Sequence, residues 1–230
     1  MSSVASSSSN PVNIASFHCV PLRILVAPSG FKESLGPEQI ADAIETGVRQ
    51  VFDAQQAIVH KLPLHDGGEG FCKALVYAKQ GYLLEATVMG PVGNPISSQL
   101  GFIDSGRTAV LDMAAAAGLR MVPKNMRDPT ITTTYGVGEL ILHALNAGCR
   151  KIIIGCGDSG TSDGGAGMLQ ALGVRLLDKS GKELPRAGGG KSLVNLHRIW
   201  WGGVHPRLRE DAGKLRLAAH LRNLLACDRV

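Results

Sequence analysis

The stretch KIIIGCGDSGTSDGGAGMLQALGVRLL, residues 151–177, contains the pattern that decides the fold. Its first four residues favour a β-strand, and residues 165–172 carry apolar side chains at helical spacing. A second apolar run over 174–177 predicts another strand, and a glycine-rich loop separates the first strand from the helix. Strand, loop, helix and strand in this order predict an α/β unit.

The same scheme recurs along the chain. We predict strands near residues 24–27 and 58–64, a helix that begins at Pro37, and helices over 70–79 and 137–146. Strands that alternate with helices are typical of parallel sheets, because the helix supplies the crossover connection. The sequence therefore predicts the α/β class, with a mostly parallel sheet flanked by helices.

Three consecutive strands interrupt this alternation, near residues 83–88, 99–103 and 108–113. Gly-Pro and Ser-Gly turns separate them, and such short connections favour antiparallel pairing. We therefore expect two α/β parts, the first at about residues 23–82 and the second at about residues 83–230.

The first 22 residues are rich in serine and lack apolar periodicity, which predicts a flexible N-terminal extension. They contain no lysine or arginine and no apolar core, which argues against a secretory or a mitochondrial signal. Their lack of acidic residues, however, is typical of a mitochondrial signal. We expect a cytoplasmic location.

Composition excludes several classes of protein. A chain with 44% hydrophobic and 19% charged residues has the composition of a folded domain. No apolar run approaches the roughly eighteen residues of a membrane-spanning helix, so we expect no membrane association. Five cysteines without a CxxC pair argue against a disulfide framework and a structural zinc site.

The net charge of +5 is local. Residues 186–230 contain nine Lys and Arg against three Asp and Glu, and residues 207–226 predict a basic amphipathic helix. The only aromatic residues of this region are Trp200 and Trp201, whereas a nucleic-acid surface would need aromatic residues spread among the basic ones. We expect no nucleic-acid partner.

Four loops rich in Gly, Asp, Ser and Thr lie beside predicted strands and helices. They are PSGFKESLG (28–36), HDGGEG (65–70), DPTITTTYGVGE (128–139) and GCGDSGTSDGGAG (155–167). In α/β sheets, ligands bind beyond the carboxyl ends of strands, where loops expose N–H groups at helix starts. We therefore expect the functional site in these loops.

The loop at 155–167 has the composition of a phosphate site, since its glycines allow the backbone to wrap an anion. Asp158 and Asp163 offer carboxylates for Mg²⁺ or for a catalytic base. The candidate phosphate-binding residues of this loop are Gly157, Ser159, Gly160, Thr161, Gly164 and Gly165.

The other loops add complementary groups. Lys32 lies just before a predicted helix, beside Ser29 and Ser34, where its charge can neutralise a phosphate or a carboxylate. Asp66 and Glu69 are separated by two glycines and can converge on one cation. Three further hydroxyl groups precede another helix, on Thr132, Thr133 and Thr134.

These groups together are what phosphoryl transfer needs: hydrogen-bond donors, a cation, a lysine and a carboxylate near the attacking hydroxyl. A single loop of this kind is more often a turn or a helix cap, and Asp66, Asp128 and Asp163 each fit an N-cap. Four such loops in one chain favour a binding site.

Three other motifs resemble known sites. GCGDSG (155–160) fits the dinucleotide-binding pattern, with Asp178 near the expected acidic position, so an NAD-linked oxidoreductase remains the alternative. The residues after Gly160 are poor helix formers, which argues against it. GDSG (157–160) lacks the rest of a serine-protease site, and PRAGGGKS (185–192) does not follow a strand as a P-loop would.

Five motifs in order resemble the glycerate kinase family. They are APSGFKESLG, LPLHDGGEG, LDMAAAAGL, RDPTITTTYGVGELI and GCGDSGTSDGGAGMLQALG, and the resemblance covers about residues 23–198. It implies ATP-dependent phosphorylation of D-glycerate to 2-phosphoglycerate with Mg²⁺. It also implies two α/β domains with a cleft between them, the first built from both ends of the chain. The sequence leaves the oligomeric state open, and a homodimer is one assembly that we consider.

The resemblance places matching residues at that cleft. Within it we assign Asp163 as the carboxylate nearest the glycerate hydroxyl, Asp66 and Glu69 as the cation pair, and Lys32 as the group on a phosphate or on the substrate carboxylate. The other residues carried over are Ser34, Thr132, Thr133, Thr134, Ser159 and Thr161.

The sequence also departs from the family pattern. Family members continue well beyond the position of Asp228, and the similarity weakens from Trp200 onward. We expect a chain truncated at its C-terminus, with an incomplete first domain, exposed apolar surface and little or no activity by itself. A non-catalytic fragment that only binds a nucleotide is the third alternative.

Overall fold

A computed structural model of the protein describes residues 20–31 and 34–210. The predicted N-terminal extension up to residue 19, the candidate Lys32 and the part of the predicted last helix beyond residue 210 lie outside the described residues. Among those that are described, helices and strands alternate as the sequence predicts, which confirms the α/β class.

The first unit is a two-stranded sheet with one helix. Strand β1 (Leu22–Val26) pairs in parallel with β2 (Ala57–Lys61), and α1 (Pro37–Arg49) connects them. Proline occupies the first turn of α1, and the Gln39 side chain accepts the N–H of Gly36 at its start. The helix buries Ile40 and Ala41.

The second unit is a four-stranded sheet. Its strands lie in the order β3 (Tyr82–Met89), β4 (Pro95–Ile103), β5 (Thr108–Asp112) and β6 (Lys151–Gly155). The β3–β4 and β4–β5 pairs are antiparallel, and β5–β6 is parallel. The predicted antiparallel group of three strands is thereby confirmed.

Side chains alternate between the two faces of this sheet along each strand, and a helix covers each face. Helix α2 (Phe71–Ala78) packs on the face that carries Ile103 and Val110. Helix α4 (Tyr135–Asn146) covers the other face, where Leu100, Leu111 and Leu140 form the centre of the largest core. Strand β5 is therefore buried along its whole length.

Short elements complete the described chain. Helix α3 (Ala114–Ala117) follows β5, and two 3₁₀ turns, Leu119–Met121 and Lys124–Met126, lead toward α4. Helix α5 (Ala166–Ala171) follows β6. The remaining elements are β7 (Arg175–Leu177), the 3₁₀ helix Gly190–Asn195, β8 (Arg198–Trp200) and α6 (Pro206–Glu210), with β7 and β8 antiparallel.

The expectation of a mostly parallel sheet is wrong for the described residues, where three of the five strand pairs are antiparallel. The reason lies in the connections. The turns at Gly90–Asn94 and Asp104–Arg107 are too short for a crossover, so β3, β4 and β5 form hairpins. The parallel pairs are those joined through helices. The division into two domains near residue 82 stays a prediction.

The first unit leaves apolar side chains exposed. Leu22, Leu25, Leu62 and Leu64 on and after its strands are all about half exposed or more, whereas the strand residues of β5 are buried. Separately, none of the helices in the part of the chain that the structure describes has the length and apolar character to cross a membrane.

Candidate active site

The site lies at the carboxyl ends of β5 and β6. Asp112 and Gly155 are register partners at the last position of these parallel strands, and the loop rich in glycine leaves from Gly155. The His65–Gly70 loop, which follows β2 and leads into α2, reaches the same edge of the sheet. This is the location at which α/β sheets bind ligands.

Two glycines bring these loops into backbone contact. The N–H of Gly157 donates to the carbonyl oxygen of Gly67 over 2.8 Å. A Cβ atom on Gly157 would lie 2.6 Å from Cα of Gly68, closer than real Cβ atoms come to backbone. Glycine is therefore required at 157 for the close approach of the loops.

Two carboxylates meet at Gly68. A Cβ atom on Gly68 would overlap Oδ2 of Asp158 and would lie 3.5 Å from Oδ1 of Asp66, so both side chains approach the same point. Oδ2 of Asp158 also accepts the N–H of Glu69 over 3.1 Å. Asp158 has a φ of 54°, an unusual backbone conformation for a non-glycine residue.

The cation pair of Asp66 and Glu69 stays a prediction. The Glu69 carboxylate forms an ion pair with Nη1 of Arg120 over 3.1 Å, and both side chains are about half exposed. Asp158, from the distant loop, approaches the same point at Gly68 as Asp66 does. Within residues 20–31 and 34–210, no group of three or more His, Cys, Asp or Glu side chains gathers as a metal site.

Asp163 lies between the starts of α4 and α5 and is 1% exposed. Oδ2 accepts the N–H of Thr134 over 2.8 Å and the N–H of Gly167 over 3.1 Å, and Oδ1 accepts the N–H of Gly165 over 3.1 Å. The Thr134 hydroxyl lies 2.9 Å from Oδ2. This is the geometry of a helix cap shared by two helices, whereas the base role stays a prediction.

The three threonines before α4 are buried, each 1% exposed. Hydroxyl groups of Thr133 and Thr134 face Asp163, and Oγ1 of Thr134 also accepts the N–H of Met168. Oγ1 of Thr132 is buried without a hydrogen-bond partner among the described residues. Burying a hydroxyl in this way costs free energy, which makes Thr132 a candidate donor to a bound group.

The residues between Asp158 and Asp163 lie at the surface. Ser159 is exposed, and its Oγ lies 3.0 Å from Oγ1 of Thr161. The N–H of Gly160 donates to the carbonyl of Ala117, which attaches this loop to α3. Gly164 and Gly165 have positive φ values of 60° and 79° and form the turn into α5. The predicted phosphate-binding residues of this loop are therefore neighbours, with two adjacent hydroxyls at the surface.

The loop at residues 28–36 lies beside the start of the His65–Gly70 loop. His65 Nε2 contacts Oε1 of Glu38 on α1 over 2.8 Å, and the N–H of Leu64 donates to the carbonyl of Pro28. Ser29 and Ser34 are exposed, and among the described residues no hydrogen bond joins their hydroxyls to the other three loops. The role of Ser29 and Ser34 at the site stays a prediction.

Asp112 was not predicted as a site residue, although it lies in the motif LDMAAAAGL (111–119). Asp112 is 3% exposed, and its two oxygens accept the N–H groups of Gly70 and Cys72 over 3.1 and 2.7 Å. Burial raises the pKa of this carboxyl to about 6. The available signal was a carboxylate at the end of a strand that is apolar on both faces.

The dinucleotide-binding alternative does not fit the local structure. The helix begins at Ala166, well after Gly160, whereas a dinucleotide site places the glycines at the helix start. Asp178 is instead part of an exposed turn, where Oδ1 accepts the N–H groups of Ser180 and Lys182.

The segment rejected as a P-loop has no P-loop structure, since the 3₁₀ helix Gly190–Asn195 and not an α-helix follows its glycines. It packs against the threonine loop: the N–H of Lys191 donates to the carbonyl of Thr130 over 2.9 Å.

Polar, glycine-rich loops joined at the carboxyl edge of an α/β sheet have the arrangement in which α/β proteins bind ligands. The chain belongs to the glycerate kinase family, whose sequence model matches residues 24–228. This match extends past Trp200.

The chain is similar to several glycerate kinases. It is 49% identical over 204 residues to the glycerate kinase of Bacillus subtilis (strain 168), covering 89% of the chain and 52% of the relative. It is 46% identical over 208 residues to the glycerate 2-kinase of Escherichia coli (strain K12), with 90% and 53% covered.

A solved structure shares this fold. The crystal structure of a protein assigned as glycerate kinase 2 of Salmonella typhimurium LT2 matches with a TM-score of 0.65 at 44% identity, covering 86% of this chain and 51% of that one. The chain therefore spans about half the length of the relatives it matches.

Proposed function

We propose that this chain is the N-terminal part of an ATP-dependent kinase that phosphorylates D-glycerate to 2-phosphoglycerate. Membership of the glycerate kinase family supports the reaction class. The observation that carries the proposal is the meeting of Asp66 and Asp158 at Gly68, where two loops from different parts of the chain join beside the carboxyl ends of β5 and β6.

The residues at this edge fit Mg²⁺. Proteins bind Mg²⁺ through one or two carboxylates, with water and substrate phosphates completing the shell, and Asp66 and Asp158 supply two. Glu69 remains a third candidate, on release of its exposed pair with Arg120. When bound, Mg²⁺ neutralises charge that develops on the phosphate oxygens.

Phosphate groups would lie against the neighbouring part of the same loop. The exposed hydroxyls of Ser159 and Thr161 are adjacent and can donate to phosphate oxygens. The flexible backbone for close approach comes from Gly157, Gly160, Gly164 and Gly165. Lys32 is proposed to contact a phosphate or the substrate carboxylate.

We propose that Asp163 and the three threonines hold the site in shape. Asp163 joins the starts of α4 and α5, and this fixes the loop that carries Ser159 and Thr161. The buried hydroxyl of Thr132 is a candidate contact for the ligand. A base role for Asp163 would require the helix starts to release one of its oxygens.

The unit of β1, β2 and α1 is proposed to be one part of a first domain that a later segment completes. Its exposed leucines and the half-length match to relatives support this. We expect little activity from the 230 residues alone. A cytoplasmic location and a homodimer belong to the same proposal.

The test compares two proteins, this chain and a fusion that continues into the C-terminal half of the Bacillus subtilis relative. Both are assayed for ATP-dependent phosphorylation of D-glycerate, with Mg²⁺ and with EDTA. Direct conversion of the product by enolase identifies 2-phosphoglycerate, because the 3-isomer is not an enolase substrate. Mg²⁺-dependent transfer by the fusion supports the proposal. A folded fusion that binds NAD and transfers no phosphate would refute it.

A further inference from the structure

We propose that Asp112 is a positioning residue for the cation site: its buried carboxylate fixes the His65–Gly70 loop so that Asp66 faces Asp158. The inference rests on the proposed function, because it assigns the means by which that site is held in place.

Asp112 caps a helix that belongs to another part of the chain. Helix α2 begins after Gly70, which has no side chain to accept the free N–H groups of the first turn. Oδ2 of Asp112 accepts the N–H of Gly70, and Oδ1 accepts the N–H of Cys72. The cap therefore comes from the end of β5 and ties the start of α2 to the sheet.

The capped residues follow the candidate ligands directly. Gly70 is adjacent to Glu69 and close to Asp66 and Gly68, so the position of its N–H sets where the end of the loop lies. Gly67 on the same loop is held by its hydrogen bond with Gly157. Gly68 and Glu69 thus lie between the contact of Gly67 with Gly157 and the contact of Gly70 with Asp112, and Asp66 directly precedes Gly67.

The other end of the loop is fixed by His65. The ring of His65 lies over Gly70, since a Cβ atom there would be 2.8 Å from Cε1, and Nε2 contacts Glu38 of α1. The loop consequently has partners on α1, on β5 and on the loop after β6. Of these, Asp112 is the buried charged side chain that binds its backbone.

A carboxylate is the side chain that suits this position. Both of its oxygens accept, and both N–H groups donate, whereas an asparagine would turn its NH₂ group toward one of the donors. The charge is costly at this depth, as the raised pKa of Asp112 indicates. Costly buried charges of this kind are typical of functional sites.

The experiment compares Asp112→Asn with Asp104→Asn, the same substitution in the turn that precedes β5. Oδ2 of Asp104 accepts the Thr108 hydroxyl, away from the loops. Calorimetry measures ATP binding by each full chain with Mg²⁺ and with EDTA. We expect Asp112→Asn to weaken binding with Mg²⁺ by about tenfold or more, and to leave binding in EDTA within about twofold. Asp104→Asn is expected to match the wild type.

Amide hydrogen exchange provides a readout that needs no nucleotide. Exchange at Gly70 and Cys72 is expected to rise by about tenfold in Asp112→Asn, with no change in Asp104→Asn. Equal losses of binding with Mg²⁺ and with EDTA would overturn the inference, because they indicate general unfolding. Unchanged exchange would overturn it as well. If the wild-type chain binds no ATP, the binding comparison is made in the fusion. A wild-type fusion that binds no ATP would count against the proposed function, and exchange would then decide the positioning role by itself.

Discussion

Gly157 donates its N–H to the carbonyl oxygen of Gly67 and so joins two loops that are far apart in the sequence. The contact leaves no space for a side chain, since a Cβ atom on Gly157 would lie 2.6 Å from the backbone of Gly68. The approach of Asp66 to Asp158 depends on this contact.

Gly157→Ala is therefore expected to destabilise the protein by about 1–3 kcal/mol, because rigid backbone must move to admit the methyl group. Urea unfolding measures the change. Gly47→Ala is the control: Gly47 lies within α1 with nothing within 4 Å of its added Cβ, so alanine is expected to stabilise by up to about 1 kcal/mol. Equal stability of the two variants would contradict the close packing at Gly157.

The buried carboxyl of Asp112 predicts a pH dependence of stability. Burial raises its pKa from the ordinary value of 3.8 to about 6, so the folded state binds the proton more tightly than the unfolded state. The contribution of this group to stability is greatest below pH 4 and is lost as the pH rises through about 6. The loss amounts to about 3 kcal/mol, at about 1.4 kcal/mol for each pKa unit.

Asp112→Asn removes this titration. Relative to the wild type, the variant is expected to gain stability between pH 4 and pH 7, as measured by urea unfolding at both values. Asp104→Asn, in the exposed turn before β5, serves as the control. A stability difference between Asp112→Asn and the wild type that does not change with pH would show that Asp112 is not buried as described.

Asp163 distinguishes a helix cap from a catalytic base. Its oxygens accept N–H groups of Thr134, Gly165 and Gly167, so Asp163→Asn leaves at least one buried donor without a partner. We expect a loss of about 1–3 kcal/mol in urea unfolding. Asp178→Asn, in an exposed turn, is expected to change stability by about 0.5 kcal/mol or less. Unchanged stability of Asp163→Asn, with loss of phosphate transfer by the fusion, would instead favour the base.

The sequence predicts much of this fold because its signals are local. The run at 151–154, the loop rich in glycine and the helix that follows are neighbours in the chain, and their composition identifies them. The hairpins among β3, β4 and β5 follow from their short turns. The prediction of a mostly parallel sheet was wrong for the described residues, where three of the five strand pairs are antiparallel. Strand pairing depends on the length of every connection, which helix and strand patterns alone do not give.

The site was harder to predict, since its geometry depends on contacts between distant residues. Asp66 was recognised, but its approach to Asp158 depends on the joining of two loops that no local pattern reveals. Likewise, Asp112 looks like a strand end in the sequence, and only the fold brings it to the start of α2. Asp163 fits both a cap and a base by composition, and its hydrogen bonds favour the cap.

The exposed face of the first unit predicts where a later segment packs. Leu25 on β1 is 64% exposed. Large apolar strand side chains are ordinarily buried in a complete domain. Leu25→Lys is expected to change the stability of the 230-residue chain by about 0.5 kcal/mol or less, because the side chain already contacts solvent. In the fusion, the same change would bury a charge and is expected to lower stability and activity together. Tyr77→Lys is the control. Tyr77 is 88% exposed on α2, the helix that packs on the four-stranded sheet. If Leu25→Lys and Tyr77→Lys have equal effects in the fusion, no segment packs on Leu25.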